Sequence, residues 1–117
     1  MAKDPAYTYL IKEVVKIVDG DTLDVVVDLG FHLSIKKRVR LQGINAPESR
    51  TRDLSEKKRG LMSKERLGEL CKKSLVLKCH GLGKYGRVLG ELFHEGESLN
   101  ELMVSEGYAE RYDGGKR

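Results

Sequence analysis

The chain has 117 residues, which is long enough for one domain around a small core, and 39% of them are hydrophobic. No apolar run in this sequence reaches the length of a membrane-spanning helix, so we expect no membrane partner. The formal net charge of +4 permits binding to a polyanion but does not require it, because many basic domains bind nothing anionic. We expect one domain over residues 1–117, with a mobile tail at 113–117.

The first part of the chain reads as three β-strands. A strand is predicted over residues 7–18, and Asp19-Gly20 is a turn signal that favours a hairpin with the next strand. Apolar and polar residues then alternate with a period of two through a second strand, 23–29, and through a third, 31–41, after a turn at Gly30. The buried face of these two strands is predicted to hold Leu23, Val25, Val27, Leu29, Phe31, Leu33, Ile35, Val39 and Leu41. The opposite face of the third strand is predicted to present Arg38, Arg40 and Gln42.

The middle of the chain changes character after this strand. Residues 50–58 are highly charged and almost without apolar side chains, which indicates an exposed loop. A helix is predicted over residues 60–72, with its apolar stripe on Leu67, Leu70 and Cys71. Two short strands are predicted at 75–79 and 87–93, and the glycine-rich stretch 81–86 is expected to form a loop between them.

The last helix carries the clearest local signals. Ser98 and Glu101 have the spacing of a capping box, and Gly107 is a typical C-terminal stop. Its buried stripe is predicted to consist of Leu99, Leu102 and Met103. Five strands with a helix between the third and the fourth match a mainly β fold, the five-stranded Greek-key barrel called the OB-fold, with two flanking helices. Strand order alone leaves other topologies open for a small β-rich domain.

Cysteine and histidine placement favours no metal or redox site. Cys71 and Cys79 form no CxxC pair, so we expect two reduced, mostly buried thiols, with one disulfide as the open alternative. The three histidines are scattered along the chain. The glycines from Gly81 to Gly86 fit the GxGxxG pattern, but a strand rather than a helix is predicted to follow, which argues against a dinucleotide site. The chain as given opens without a secretory signal, so we expect a cytoplasmic protein, with secretion open if the natural chain is longer.

Three short segments combine the groups that a metal-dependent phosphodiesterase needs. They are Asp19-Gly-Asp21-Thr22, Arg40-Leu-Gln-Gly-Ile-Asn45-Ala46-Pro47-Glu48 and Lys84-Tyr85-Gly86-Arg87. Acidic oxygens can hold a hard cation, arginines bind phosphate oxygens in a planar fork, and a further glutamate can order or deprotonate a water. Each segment alone has an ordinary explanation, as a turn, a strand or a solvated surface.

In order and approximate spacing these segments resemble the staphylococcal nuclease (thermonuclease) family, from about Val14 to about Tyr112. The resemblance implies an OB-fold and a Ca²⁺-dependent nuclease that hydrolyses DNA, RNA or both, leaving a 3′-phosphate and a 5′-hydroxyl. It also implies roles for single residues. The catalytic residues would be Arg40, Glu48 and Arg87. The metal ligands would be Asp21, Asn45 and the backbone carbonyl of Ala46, with Asp19 and Thr22 as accessory residues. Lys84 and Tyr85 would contact the substrate.

Asn45 is the main departure from the family pattern, which commonly has aspartate at this place. Asparagine keeps a carbonyl oxygen but removes one negative charge, so we expect weaker or altered metal binding. Ala46 replaces a frequent threonine, and it retains the backbone carbonyl that matters there. If Asn45 is not a ligand, Asp24 is the first alternative to consider.

The sequence therefore predicts a monomeric enzyme that acts on single-stranded or flexible DNA or RNA, with weak sequence specificity and no membrane partner. The rival hypothesis is a catalytically silent OB-fold domain that binds nucleic acid or protein. An inactive domain is disfavoured by the presence of Arg40, Glu48 and Arg87. The feature that favours an inactive domain is Asn45.

Overall fold

The computed structural model describes residues 7–83 and 86–112, and its strands form a barrel flanked by two helices. The elements in chain order are β1 Tyr7–Asp19, β2 Thr22–Gly30, β3 Leu33–Leu41, β4 Ile44–Asn45, α1 Leu54–Leu70, β5 Val76–Leu82, β6 Val88–His94, β7 Glu97–Ser98, α2 Leu99–Ser105 and β8 Glu110–Arg111. No helix among the described residues is both long and apolar enough to cross a bilayer.

Five long strands close the barrel. They pair in the order β3-β2-β1-β5-β6, and a short parallel pairing from Val39–Val88 to Leu41–Gly90 joins β6 back to β3. The hairpin predicted at Asp19-Gly20 is present, with Asp19 opposite Thr22. This arrangement confirms the predicted mainly β OB-fold barrel with two flanking helices.

The core lies inside the barrel and under the two helices. Alternate residues of β2 point inward, because successive side chains of a strand face opposite sides. The side chains of Leu23, Val25, Val39, Leu41, Leu67, Leu77, Leu92, Leu99 and Met103 are almost completely buried. Each such side chain contributes roughly 1.5–3 kcal/mol to folding. The predicted stripes of both helices face this core, with Leu102 only partly buried.

The outer ends of β2 and β3 are more exposed than their alternation predicted. Phe31, Leu33 and Ile35 were placed on the buried face, but they are 95%, 61% and 41% exposed. That part of the prediction is wrong because β6 pairs only with the last residues of β3, so among the described residues no strand pairs with the first half of β3 on its free edge. Leu29 is likewise exposed, and Phe31 and His32 form the turn with positive φ angles of 54° and 64°.

The first helix begins earlier than predicted. Asp53 caps it, because its carboxylate accepts hydrogen bonds from the backbone nitrogens of Ser55 and Glu56 at 3.0 and 3.1 Å. The charged stretch predicted as a loop over 50–58 is therefore loop only as far as Asp53, and the first turns of α1 follow it. The helix ends at Leu70, with Cys71 as its C-cap, so the predicted end at residue 72 is also wrong.

The second helix has half of its predicted cap. The Ser98 hydroxyl accepts from the Glu101 backbone nitrogen at 3.2 Å, as predicted. The Glu101 carboxylate instead accepts two hydrogen bonds from Arg111, at 2.6 and 3.1 Å, because β8 brings that guanidinium alongside α2. Gly107 follows the C-cap with a φ of 84°, which confirms the predicted stop.

The fourth and fifth predicted strands are present with shifted bounds. The fourth runs from Val76 to Leu82 rather than over 75–79, because its pairing with β6 continues past an irregularity between Cys79 and Gly81. The fifth runs from Val88 to His94. Both cysteines are free, Cys71 buried and Cys79 half-buried, in line with the expected thiols. Lys84, Tyr85 and the tail 113–117 lie outside the described residues.

Candidate active site

Asp21 is the anchor of the site. It lies in the turn between β1 and β2 and is only 7% exposed. One carboxylate oxygen, Oδ1, accepts from the Thr22 hydroxyl at 2.9 Å, and the other, Oδ2, accepts from the Ala46 backbone nitrogen at 2.8 Å. These two bonds fix the carboxylate and join the hairpin turn to the segment that follows β4. A charged group this buried requires such partners.

Arg40 supplies the positive charge beside this carboxylate. It lies directly opposite Thr22 in the β2–β3 pairing, which places its guanidinium next to the turn. Its Nη1 is 3.5 Å from Asp21 Oδ2 and also donates to the Leu41 carbonyl at 2.8 Å, while its Nη2 donates to Asn45 Oδ1 at 3.5 Å. One guanidinium therefore contacts both side chains that were predicted as metal ligands.

Tyr112 is a neighbour of this arginine that the sequence did not assign. The Arg40 Cζ atom lies 6.0 Å from the centre of the Tyr112 ring, at the outer limit of a cation–π contact. The Tyr112 backbone nitrogen donates to the Gly43 carbonyl at 2.8 Å, which holds the ring near the site. Its only signal in the sequence was an aromatic residue after the last helix.

Asp19 links the end of β1 to the loop that follows β4. Its Oδ1 accepts from both the backbone nitrogen, at 3.2 Å, and the hydroxyl of Ser49. Ser49 is 3% exposed, so this contact ties the end of β1 to the residue after Glu48. The accessory role predicted for Asp19 stays a prediction, and its contact with Ser49 gives it a way to position the Glu48 loop.

Glu48 is exposed, and its backbone is held firmly. Its nitrogen donates to Glu56 Oε2, in the first turn of α1, at 3.2 Å. Gly60 of the same helix packs so closely that a Cβ atom there would lie 2.3 Å from the Glu48 carbonyl oxygen. Gly20 is similarly close to Ser63, with 2.7 Å from its would-be Cβ to the Ser63 Cβ. The small residues of α1 thus support both the Asp21 turn and the Glu48 loop.

Arg87 is brought towards Arg40 by the pairing between β3 and β6. It directly precedes β6, where Val88 pairs with Val39 and Leu89 with Arg40. Its carbonyl accepts from the Gly83 nitrogen at 2.6 Å across the intervening loop. The parallel pairing therefore brings the chain positions of the two predicted phosphate-binding arginines close together.

The donors at this site fit a hard cation in chemistry, though with little charge. Asp21 and Asn45 offer side-chain oxygens, which calcium prefers, but only Asp21 carries a carboxylate, and Ala46 contacts that carboxylate through its backbone nitrogen. Within residues 7–83 and 86–112, no group of three His, Cys, Asp or Glu residues could hold a metal ion.

Asp24, the alternative ligand, lies elsewhere on β2 and is already paired. Its carboxylate accepts from Arg38 Nε at 2.8 Å and from Arg38 Nη2 at 3.2 Å. The hydrogen bond from Arg38 is the main reason why the pKa of Asp24 is lowered. A carboxylate engaged in this way is a poor substitute ligand, so Asn45 remains the better candidate.

Comparison with known proteins shows the family of the chain. The family described as "Staphylococcal nuclease homologue" matches residues 38–116. "Protein ParB" of Escherichia coli is 33% identical over 117 residues, covering 92% of this chain and 60% of the relative. "Micrococcal nuclease" of Shigella flexneri is 33% identical over 118 residues, covering 92% and 62%. "Probable staphylococcal-like nuclease CAN1" of Oryza sativa subsp. japonica is 34% identical over 80 residues, covering 68% and 23%. The chain thus spans about 60% of the first two relatives.

Proposed function

The chain belongs to the staphylococcal nuclease homologue family, and we propose that it is a Ca²⁺-dependent nuclease that hydrolyses phosphodiester bonds in DNA, RNA or both. The single observation that carries the proposal is the position of Arg40. Its guanidinium contacts a buried carboxylate and an amide oxygen, next to a loop that bears an exposed glutamate. A phosphate at this point would meet a preorganised fork of donors.

Arg40 is suited to binding the scissile phosphate. Its side chain is 17% exposed, and the bonds from its guanidinium to the Leu41 carbonyl and to Asp21 fix its orientation. A fixed guanidinium loses little conformational freedom when a phosphate binds, so most of the interaction energy is available for binding. Arg87, from the strand that pairs with β3, would stabilise the charge that grows on the phosphate as the bond breaks.

Glu48 is the candidate for positioning the attacking water. Its carboxylate is exposed, while its backbone is held by Glu56 and by the close approach of Gly60. A side chain that reaches solvent from a fixed backbone can orient or deprotonate a water without moving the loop. Tightly packed supports of this kind are expected around a catalytic carboxylate.

The metal would be held by Asp21, Asn45 and the Ala46 carbonyl. When bound, calcium supplies positive charge that polarises the scissile phosphate. Asp21 Oδ2 accepts from the Ala46 nitrogen and faces Arg40, whereas Oδ1 accepts from the Thr22 hydroxyl and keeps a lone pair for a cation. Asn45 adds a neutral oxygen, so we propose an affinity for calcium below that of a site with two carboxylates.

The substrate is proposed to be a single-stranded or flexible polynucleotide. The groups described here would contact the phosphate backbone, which carries no direct sequence information, so base specificity should be weak. We propose that the protein acts as a monomer.

The second candidate function is a silent domain that binds nucleic acid without cutting it. Asn45 favours it, because the site has a single anionic ligand and Arg40 already balances that charge. The lack of a second carboxylate weakens metal binding but does not weaken phosphate binding by the arginines.

The test is incubation of purified protein with single-stranded DNA and with RNA, in calcium or in chelator. The Arg87→Ala protein, purified identically, controls for contaminating nuclease. Cleavage that requires both calcium and Arg87 would support the nuclease. Binding of the strands without cleavage in calcium would instead support the silent domain.

A further inference from the structure

A segment with an excess of positive charge directly follows the candidate catalytic glutamate. We call residues 50–59 the basic segment; it covers the end of the Glu48 loop and the start of α1. Its five basic side chains, all exposed, are Arg50, Arg52, Lys57, Lys58 and Arg59. Its two acids are used locally, since Asp53 caps α1 and Glu56 accepts from the Glu48 nitrogen.

Three arginines elsewhere on the described surface form ion pairs with carboxylates. Arg38 pairs with Asp24 at 2.8 Å, Arg66 with Glu106 at 2.7 Å, and Arg111 with Glu101 at 2.6 Å. None of the ion pairs found in residues 7–83 and 86–112 includes a side chain of the basic segment. The basic segment therefore keeps an excess of positive charge, with five basic side chains against the two carboxylates of Asp53 and Glu56.

The position of these cations does not serve the stability of α1. The N-terminal end of a helix carries partial positive charge, so basic residues stabilise a helix at its C-terminal end. In α1, Lys57, Lys58 and Arg59 lie in the first two turns, whereas its last turn has no basic residue. Helix stability alone would have favoured the reverse arrangement, which leaves an external anion as the better explanation.

The basic segment is also rigidly attached to the site. Arg50 is two residues from Glu48 along the chain. Arg59 precedes Gly60, the glycine that packs against the Glu48 carbonyl. The segment thus reaches the neighbourhood of Glu48 at both of its ends. The backbone nitrogens at the start of α1 are occupied by Asp53, so a ligand here would contact side chains.

We propose that the basic segment is a second phosphate-binding surface, which holds a single-stranded polynucleotide where it extends beyond the scissile phosphate. This inference rests on the proposed function only in taking a nucleic acid as the ligand. Five exposed cations within ten residues can contact several phosphates of one strand and release their counterions. The preferred substrate is then a strand longer than the few nucleotides that fill the candidate active site.

The test compares two double variants with the same change in net charge. Arg52→Gln with Arg59→Gln removes two cations of the basic segment. Arg66→Gln with Arg111→Gln removes two arginines that are paired with carboxylates. Binding of a single-stranded oligonucleotide of about 20 nucleotides, long enough to cover an OB-fold, is measured by fluorescence anisotropy over a range of salt concentrations. Chelator is present throughout, so that no cleavage occurs, and thermal melting checks that both variants are folded.

For the Arg52→Gln, Arg59→Gln variant we expect a shallower salt dependence. The magnitude of the slope of log affinity against log salt should fall by about 1.4, which is about 0.7 for each lost phosphate contact. The second variant should keep the wild-type slope. Equal slopes in the two variants, or a loss only in the second, would overturn the inference. The same experiments distinguish this inference from the proposed function. A protein that binds with the expected slopes but does not cleave in calcium would contradict the nuclease and still support the second phosphate-binding surface.

Discussion

Gly60 offers a sharp test of how α1 supports the candidate site. A Cβ atom at this position would lie 2.3 Å from the Glu48 carbonyl oxygen and 2.7 Å from the Ser49 nitrogen. The Glu48 loop would have to move by about 1 Å to restore ordinary van der Waals contact. Gly60→Ala should gain about 1 kcal/mol from helix propensity but lose about 1–3 kcal/mol through overpacking. We expect a net loss of stability, and a loss of cleavage of up to about 100-fold, because displacements of this size disturb catalytic geometry.

Gly68→Ala is the matched control in the same helix. A Cβ atom there would meet only Ile17 Cγ1, at 3.7 Å, which is ordinary contact. This variant should be stabilised by up to about 1 kcal/mol and should cleave normally. Thermal melting and initial rates on single-stranded DNA measure both effects. If Gly60→Ala were as stable and as active as Gly68→Ala, the claim that α1 fixes the Glu48 loop would be refuted.

Three further predictions follow from the site and its surroundings. Arg40→Lys keeps the positive charge but loses the planar fork of donors, so kcat should fall by about 10²-fold or more with little change in melting temperature. Cleavage at the wild-type rate would show that Arg40 does not bind the reacting phosphate. Asn45→Asp should bind calcium more tightly in a titration and melt slightly lower in chelator, because the new carboxylate lies near Asp21; unchanged affinity would exclude residue 45 as a ligand. Burial raises the pKa of the Cys71 thiol to about 12, so alkylation of the folded protein at about pH 8, followed by mass spectrometry, should modify Cys79 and leave Cys71 intact until unfolding.

Much of the barrel could be predicted because its signals are local. The alternation in β2, the turn at Asp19-Gly20 and the cap at Ser98 each depend on a few neighbouring residues. The start of α1 was missed because its first turn is polar and lacks apolar periodicity, and its one local signal, Asp53, stands in a run of charges. The exposure of Phe31 was missed because alternation shows which face a residue takes but not how far the barrel extends.

The residues of the candidate site also divide into those that the sequence predicted and those that it could not. Asp21, Arg40, Asn45 and Ala46 were singled out from the sequence, and the structure places them in contact. Supporting contacts could not be predicted, because they join residues far apart in the chain. The bond between Asp19 and Ser49 and the packing of Gly60 on the Glu48 loop depend on how α1 lies against the hairpin. A glycine within a predicted helix was the one visible hint of close packing.

The central claim is that one site binds a strand through its arginines and cleaves it through Glu48. The most direct measurement compares wild type with Glu48→Gln on one single-stranded DNA in calcium, following binding by anisotropy and cleavage by product length. We predict equal or slightly tighter binding by the variant, since it removes a negative charge, and a fall in cleavage rate of about 10²–10⁴. Cleavage by Glu48→Gln at the wild-type rate would contradict the account.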